Sequence, residues 1–247
     1  MKLLQDQLAI VTGGARGIGK STAKLFATEG ARVVIWDLDE EEGQEVVKEI
    51  KDNGGKASFQ KVNTTEHEKV QAAAKQVIDT YGQIHILVNN AGITRDARLI
   101  KMTPEQWNAV INVNLTGVFN CTQAVAPYMI ERNYGKIVSA SSVVGVYGNF
   151  GQTNYVATKS GVIGMTKVWS RELGPKGINV NAVAPGFIAT EMIETIPEKV
   201  IRDVESKTPL RRFGKPEEIA EAYLFLCSER ASFINGETLN VNGGITI

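Results

Sequence analysis

The chain has 247 residues, in which 27 lysines and arginines balance 27 aspartates and glutamates. That neutrality excludes the basic footprint of a nucleic-acid or anionic-membrane binder, and Cys121 and Cys227, both in apolar helical surroundings, read as buried thiols rather than a disulfide framework or a metal set. No run is long and apolar enough to cross a bilayer, and the first residues lack the core of a signal peptide, so the expectation is one cytoplasmic domain over residues 1–247.

Leu8–Thr12 is a short apolar, partly β-branched run that reads as a buried strand. Gly13, Gly17 and Gly19 follow, with Arg16 and Ile18 among them, and residues 20–29 read as an amphipathic helix. Strand, glycine-rich turn and helix make the first half of a dinucleotide-binding unit. Gly13 permits the turn, Gly17 lets backbone approach a diphosphate, and Gly19 lets the helix pack closely. The phosphates would face free N–H groups and the positive end of the helix dipole. The spacing is wider than the usual Gly-x-Gly-x-x-Gly fingerprint, so the next strand matters. That strand, 32–36, leads into Asp37, eighteen residues past Gly19 and placed to accept hydrogen bonds from the adenosine ribose. A carboxylate there repels a 2′-phosphate, so NAD(H) is the expected cofactor. Arg16 could hold such a phosphate, which keeps NADP(H) as the alternative. The bland reading is that Asp37 only caps a helix starting near Glu40.

The alternation continues with a strand at 56–62, a helix at 66–81 and a strand at 85–89. Asn63 and Thr64 lie at one strand end, and Asn89, Asn90, Ala91 and Gly92 at another, where ligands bind in parallel sheets. Their amides and small side chains suit a nucleotide crevice, although Asn and Gly also favour plain turns. His67 and His85 share no ligand spacing with cysteines or acids and read as structural, so no metal site is expected.

Thr103-Pro-Glu-Gln opens a helix with a capping-box pattern, and a helical stretch runs from about 107 to 133. It carries Asn114 amid apolar neighbours, as either a satisfied core amide or a site amide that holds a water. A fifth strand at 136–139 delivers Ser141 and Ser142. A helix at 153–172 then presents Tyr155 and Lys159, four residues apart and therefore on one face. The ammonium is expected to draw the phenol's pKa down from about 10, fitting it for acid–base work, whereas taken alone the pair could be a solvated surface. A sixth strand at 178–184 precedes Pro185, Gly186, Ile188 and Thr190, and a seventh occupies 237–241. The predicted architecture is α/β, a doubly wound Rossmann-type three-layer fold with a seven-stranded parallel sheet.

With these motifs in order, the chain resembles the short-chain dehydrogenases/reductases over essentially its whole length. The resemblance rests on Thr12-Gly13-x-x-x-Gly17-x-Gly19, Asn89-Asn90-Ala91-Gly92, Asn114, Ser142, Tyr155-x-x-x-Lys159 and Pro185-Gly186. Within that family it is most similar to the 3-oxoacyl-acyl-carrier-protein reductases, through residues 90–96, 142–145, 148–155 and 184–188. The resemblance implies a cytoplasmic, homotetrameric NAD(P)-dependent oxidoreductase that reduces 3-oxoacyl thioesters of acyl-carrier protein or CoA, a step of fatty acid biosynthesis. It assigns proton donation to Tyr155, carbonyl orientation to Ser142, ribose binding and phenol activation to Lys159, and a proton-relay water to Asn114. Ile188 and Thr190 would meet the carboxamide end of the cofactor.

Two features depart from that pattern. Asp37 points to NAD(H), which also suits an NAD-dependent dehydrogenase of free secondary alcohols, polyols or ketones, the alternative reading. The basic residues that dock a carrier protein beside the active-site mouth have Arg132 and Lys176 as candidates, but Asn133 stands where a second arginine is expected. Residues 191–208 are the expected substrate lid. The resemblance also places the Asn114 and Tyr155 helices, and the last nine residues, at subunit interfaces.

Overall fold

The computed structural model describes residues 2–190 and 198–246. Its centre is a seven-stranded, wholly parallel sheet in the order β3-β2-β1-β4-β5-β6-β7. The strands are β1 Leu8–Thr12, β2 Arg32–Asp37, β3 Lys56–Lys61, β4 Ile86–Asn89, β5 Gly135–Ala140, β6 Ile178–Pro185 and β7 Thr238–Val241. The central strands are buried on both faces, as continuous apolar runs require, and all five residues of β1 are inaccessible. Successive side chains divide between the faces. Ala9 and Val11 join a core with α1 (Gly17–Thr28), α2 (Glu40–Asp52) and α9 (Pro216–Cys227). Leu8 and Ile10 join a second core with α3 (His67–Tyr81) and α5 (Gly117–Glu131). The third helix of that layer, α7 (Thr153–Leu173), packs on β6.

The chain winds outward from β1 through β2 to β3, then returns to place β4 against β1 and winds the other way. That reversal opens a crevice at the C-terminal ends of β1 and β4, because the following loops leave in opposite directions. The remaining helices are α4 (Pro104–Ile111), α6 (Val143–Tyr147) and α8 (Glu198–Lys207). The Thr103 capping box forms: its hydroxyl accepts from the Gln106 N–H at 3.3 Å, and the Gln106 side chain accepts from the Thr103 N–H at 3.0 Å.

Two expected elements differ. The helix expected at 20–29 spans Gly17–Thr28, beginning inside the glycine-rich turn, where Gly17 takes a left-handed φ of +51° that glycine tolerates. The single helix expected over 107–133 is two helices, α4 and α5, joined by a π-helical turn at Asn112–Thr116. Local apolar spacing carries no sign of such a widened turn. His85 serves the sheet as expected, its Nδ1 accepting from the Leu8 N–H at 2.8 Å, while His67 pairs with Gln123. Cys121 and Cys227 are buried free thiols, and burial pushes Cys121 up to about 12. Among the described residues, no helix is long and apolar enough to cross a membrane.

Candidate active site

The crevice has two lobes that share Asn90, Gly92, Ile93 and Thr190 as walls. The first, about 530 Å³, follows β1 and β2. Gly13 takes a φ of +63°, a conformation that costs an ordinary residue, and α1 starts at Gly17 with no side chain capping it from Arg16. The first-turn N–H groups are therefore left for a ligand, the usual seat of a diphosphate. Gly19 does not line the lobe. A Cβ there would overlap the Gly13 carbonyl oxygen, so it serves close packing of the loop.

Asp37 is not the cap of α2. Asp39 is, accepting from the Glu42 N–H at 3.2 Å. Asp37 instead accepts from the Ala15 N–H at 3.0 Å through one oxygen, and from the N–H groups of Leu38 and Asp39 at 2.7 and 3.1 Å through the other. Three donors hold the carboxylate on the lobe wall, where ribose hydroxyls would meet it. Arg16 is paired with Asp39 at 2.7 Å and lies 3.7 Å from Glu42. Asn63, Thr64, Ala91 and Gly92 complete the wall. Asn90 turns its amide back to the Thr12 and Gly13 carbonyls at 3.2 Å each, tying the ends of β1 and β4 together. The Thr12 hydroxyl accepts from the Asn90 and Ala91 N–H groups at 3.0 Å each. Uncapped helix end, left-handed glycine turn and ribose-facing acid together fit a dinucleotide.

The second lobe, about 560 Å³, collects Ser142, Tyr155, Lys159, Ile18, Pro185, Gly186 and Ile188. Ser142 leaves the end of β5 and caps α6, accepting from the Val144 N–H at 3.4 Å. α6 presses on α7 through Gly145, where a Cβ would stand 2.8 Å from Lys159 Cβ. The Ser160 hydroxyl donates to the Gly145 carbonyl at 2.6 Å, and Ser141 donates to the Lys159 carbonyl at 2.9 Å. Asn154 donates to the Arg95 and Gln106 carbonyls and accepts from the Tyr155 N–H at 2.8 Å, fixing the first turn of α7. The Lys159 ammonium donates to the Ala140 carbonyl at 2.8 Å and lies 5.4 Å from the Tyr155 ring centroid.

This arrangement reverses the expected phenol shift. Burial pushes Tyr155 up to about 12, with the Ser142 hydroxyl pulling it down and Asp96 adding to the rise. Burial also takes Lys159 down to about 8. The ammonium faces the ring and a carbonyl, and the cost of desolvating a phenolate dominates.

Asn114 sits in the π-turn, fully buried. Its amide donates to the Ile93 carbonyl and accepts from the Ile93 N–H, both at 2.8 Å. A Cβ on Gly92 would stand 3.4 Å from Asn114 Oδ1 and 3.6 Å from Lys159 Nζ, so the three meet at one point. Asn114 is thus a satisfied core amide, with one N–H and one lone pair to spare. Within one chain, Arg132 is not beside the mouth. Its guanidinium donates to the Gly82 carbonyl at 2.6 Å, before β4 begins, and Lys176 lies just before β6, so both occupy the N-terminal end of the strands, opposite the crevice. Residues 191–197 of the expected lid lie outside the described residues, and 198–207 form α8.

Sequence reasoning missed Thr12 as a loop organiser and Asn154 as an anchor for Tyr155. It also missed Tyr223 of α9, which lines the second lobe. A polar residue beside a motif was the only available signal for the first two. Nothing local marks Tyr223, which reads as a core aromatic.

The family described as enoyl-(acyl carrier protein) reductase matches residues 13–246. The 3-oxoacyl-[acyl-carrier-protein] reductase FabG of Thermotoga maritima is 52% identical over 244 residues, 99% of each chain. The proteins of that name from Chlamydia muridarum and Staphylococcus aureus are 46% and 45% identical, over 98% and 96% of this chain and 98% and 97% of theirs. The crystal structure of gox2181 superposes with a TM-score of 0.95 at 37% identity, covering 98% of this chain and 96% of that one.

Proposed function

The chain belongs to the short-chain dehydrogenase/reductase family, and we propose that it is an NAD(H)-dependent reductase of 3-oxoacyl thioesters to 3-hydroxyacyl thioesters. As a member it is an oxidoreductase acting on CH–OH or C=O groups with a nicotinamide dinucleotide. The carrying observation is Ser142 and Tyr155 on one cavity wall with the Lys159 ammonium behind the phenol. An enoyl thioester also offers a carbonyl oxygen to two hydroxyls, so the choice between the two reductions rests on the relatives, which are named 3-oxoacyl-[acyl-carrier-protein] reductases. Carbonyl reduction is therefore preferred to the enoyl reduction in the matched family's description. The relatives' printed names support a 3-oxoacyl thioester as substrate, and a place in cytoplasmic fatty acid biosynthesis is part of the same proposal.

When bound, the dinucleotide supplies the hydride for the carbonyl carbon. Ser142 donates to the carbonyl oxygen and orients it, and Tyr155 gives that oxygen its proton. A phenol pushed up to about 12 is protonated at neutral pH, the state a donor needs. Lys159, charged below about 8, steadies the phenolate left behind and holds the nicotinamide ribose. Asn114 uses its spare N–H or lone pair to hold the water that returns a proton toward Lys159. Gly13, Gly17 and Ile18 cradle the diphosphate, Pro185, Gly186, Ile188 and Thr190 hold the carboxamide end, and Asp37 takes the adenosine ribose. NAD(H) preference is further supported by Arg16, because its partners Asp39 and Glu42 already engage the one cation of the glycine loop.

The test is turnover of NADH and NADPH with acetoacetyl thioesters on acyl-carrier protein, on CoA, and with a simple ketone. Thioesters with NADH should be fastest, and Tyr155→Phe should lose about 10²- to 10⁴-fold of that rate, the range for general acid catalysis. Ketone turnover above thioester turnover would assign the chain to free alcohols and ketones instead. Full activity in Tyr155→Phe would remove the phenol from the chemistry.

A further inference from the structure

Tyr223 is completely buried in α9, yet its hydroxyl has no hydrogen-bond partner among the described residues. Such a group costs about 1–3 kcal/mol unless something pairs with it. A phenylalanine would fill the same space without that cost, so the oxygen calls for a partner that arrives from elsewhere.

The direction of α9 indicates where. The helix begins at Pro216, just after Gly214, whose N–H donates to the Phe187 carbonyl at 2.9 Å and whose carbonyl accepts from the Ala189 N–H at 2.7 Å. Its first turn is therefore anchored to the strip at the C-terminal end of β6. It ends at Cys227, ahead of Glu229, which lies 3.7 Å from Lys136 near the start of β5. The helix thus runs against the strands. Helical side chains tilt toward their own N-terminus, so the phenol leans toward the strand ends that hold the cavity. Tyr223 shares that cavity with Ile18, Pro185, Gly186, Ile188 and Thr190. Burial raises its pKa, with Tyr155 close enough to add to the rise, and it remains a proton-bearing donor at working pH.

We infer that Tyr223 is a cofactor-positioning residue, whose hydroxyl finds its missing partner on the nicotinamide–diphosphate portion of the bound dinucleotide. The inference rests on the dinucleotide reading of the site and assigns a member of α9 to it.

The experiment compares wild type with Tyr223→Phe in two measurements: the melting temperature of the cofactor-free protein, and the Kd values of NADH and ADP-ribose by calorimetry. NADH binding should weaken about three- to tenfold, as loss of a neutral hydrogen bond gives, while the cofactor-free melting temperature stays level or rises. A merely structural hydroxyl would move them the other way, with lower stability and unchanged Kd. Weakening confined to NADH places the partner on the nicotinamide, and equal weakening of ADP-ribose places it on the diphosphate side. Unchanged Kd for both ligands, or a lower cofactor-free melting temperature, overturns the inference. A wild type that bound neither ligand would overturn the functional reading first, and this inference with it.

Discussion

Lys159 is held in two opposing ways. Its ammonium is buried and donates to the Ala140 carbonyl, and burial takes its pKa from 10.5 down to about 8. Between those two values the unfolded chain binds the proton that the folded chain has released, so this residue's contribution to stability rises with pH. Below about 8 the full cost of the buried charge is present. From pH 7 to pH 9.5 the wild type should therefore gain about 2 kcal/mol relative to Lys159→Met, at 1.36 kcal/mol per pKa unit. Urea denaturation of both proteins at the two pH values measures it. Loss of the bond to Ala140 is independent of pH and cancels. A constant difference would mean that the ammonium is better solvated than its position implies. The pairing of Tyr155 with Lys159 was legible in the sequence, since a spacing of four residues places them on one helix face. The sign of the Tyr155 shift was not, because it is set by desolvation from α6 and the β6 loop, which no local spacing records.

At the scale of elements, the junction of α4 and α5 carries the least predictable geometry. One continuous helix would satisfy the apolar pattern of 107–133, and the extra residue of the π-turn leaves no trace in it. Asn114 alone hinted at something unusual, as a polar side chain among aliphatic ones. The structure gives the reason: the widened turn aims its amide at both polar groups of Ile93, one residue past Gly92. Asn114→Ala should leave that N–H and carbonyl poorly satisfied and cost roughly 1–3 kcal/mol, read as a lower urea midpoint with an unchanged slope. Because Gly92 also lies against Lys159, kcat should fall while the KM for NADH changes little. A variant that is less stable but fully active would make the π-turn architectural only. The start of α1 was hidden for a simpler reason: glycine carries no helix-forming signal, so Gly19 reads as turn although it lies in the helix, and Gly17, where the helix starts, keeps a left-handed φ of +51°.

For the whole molecule, the doubly wound order was legible because the central strands announced themselves as short apolar runs ending in polar or glycine-rich loops, and parallel crossovers leave few topologies, although β3 (Lys-Ala-Ser-Phe-Gln-Lys) is largely polar. What lies between molecules was not, and the resemblance alone raised it. The described surface bears on it. Trp107 on α4, Phe119 on α5 and Val168 on α7 are 38, 41 and 50% exposed, large apolar groups on the helices expected between subunits. We therefore expect a homotetramer in which α5 and α7 pack against their symmetry mates. In a two-fold interface a residue near the axis meets its own copy, so one substitution places like charges face to face. Phe119→Glu and Val168→Glu should each halve the mass seen by light scattering. Because both sites are exposed in the protomer, the circular dichroism spectrum should not change. Activity should fall with the mass, since α7 carries Tyr155 and Lys159 at one end and Val168 farther along the same helix. If both variants keep the wild-type mass, α5 and α7 are not the interface. If the mass halves with turnover intact, the protomer holds its active site alone.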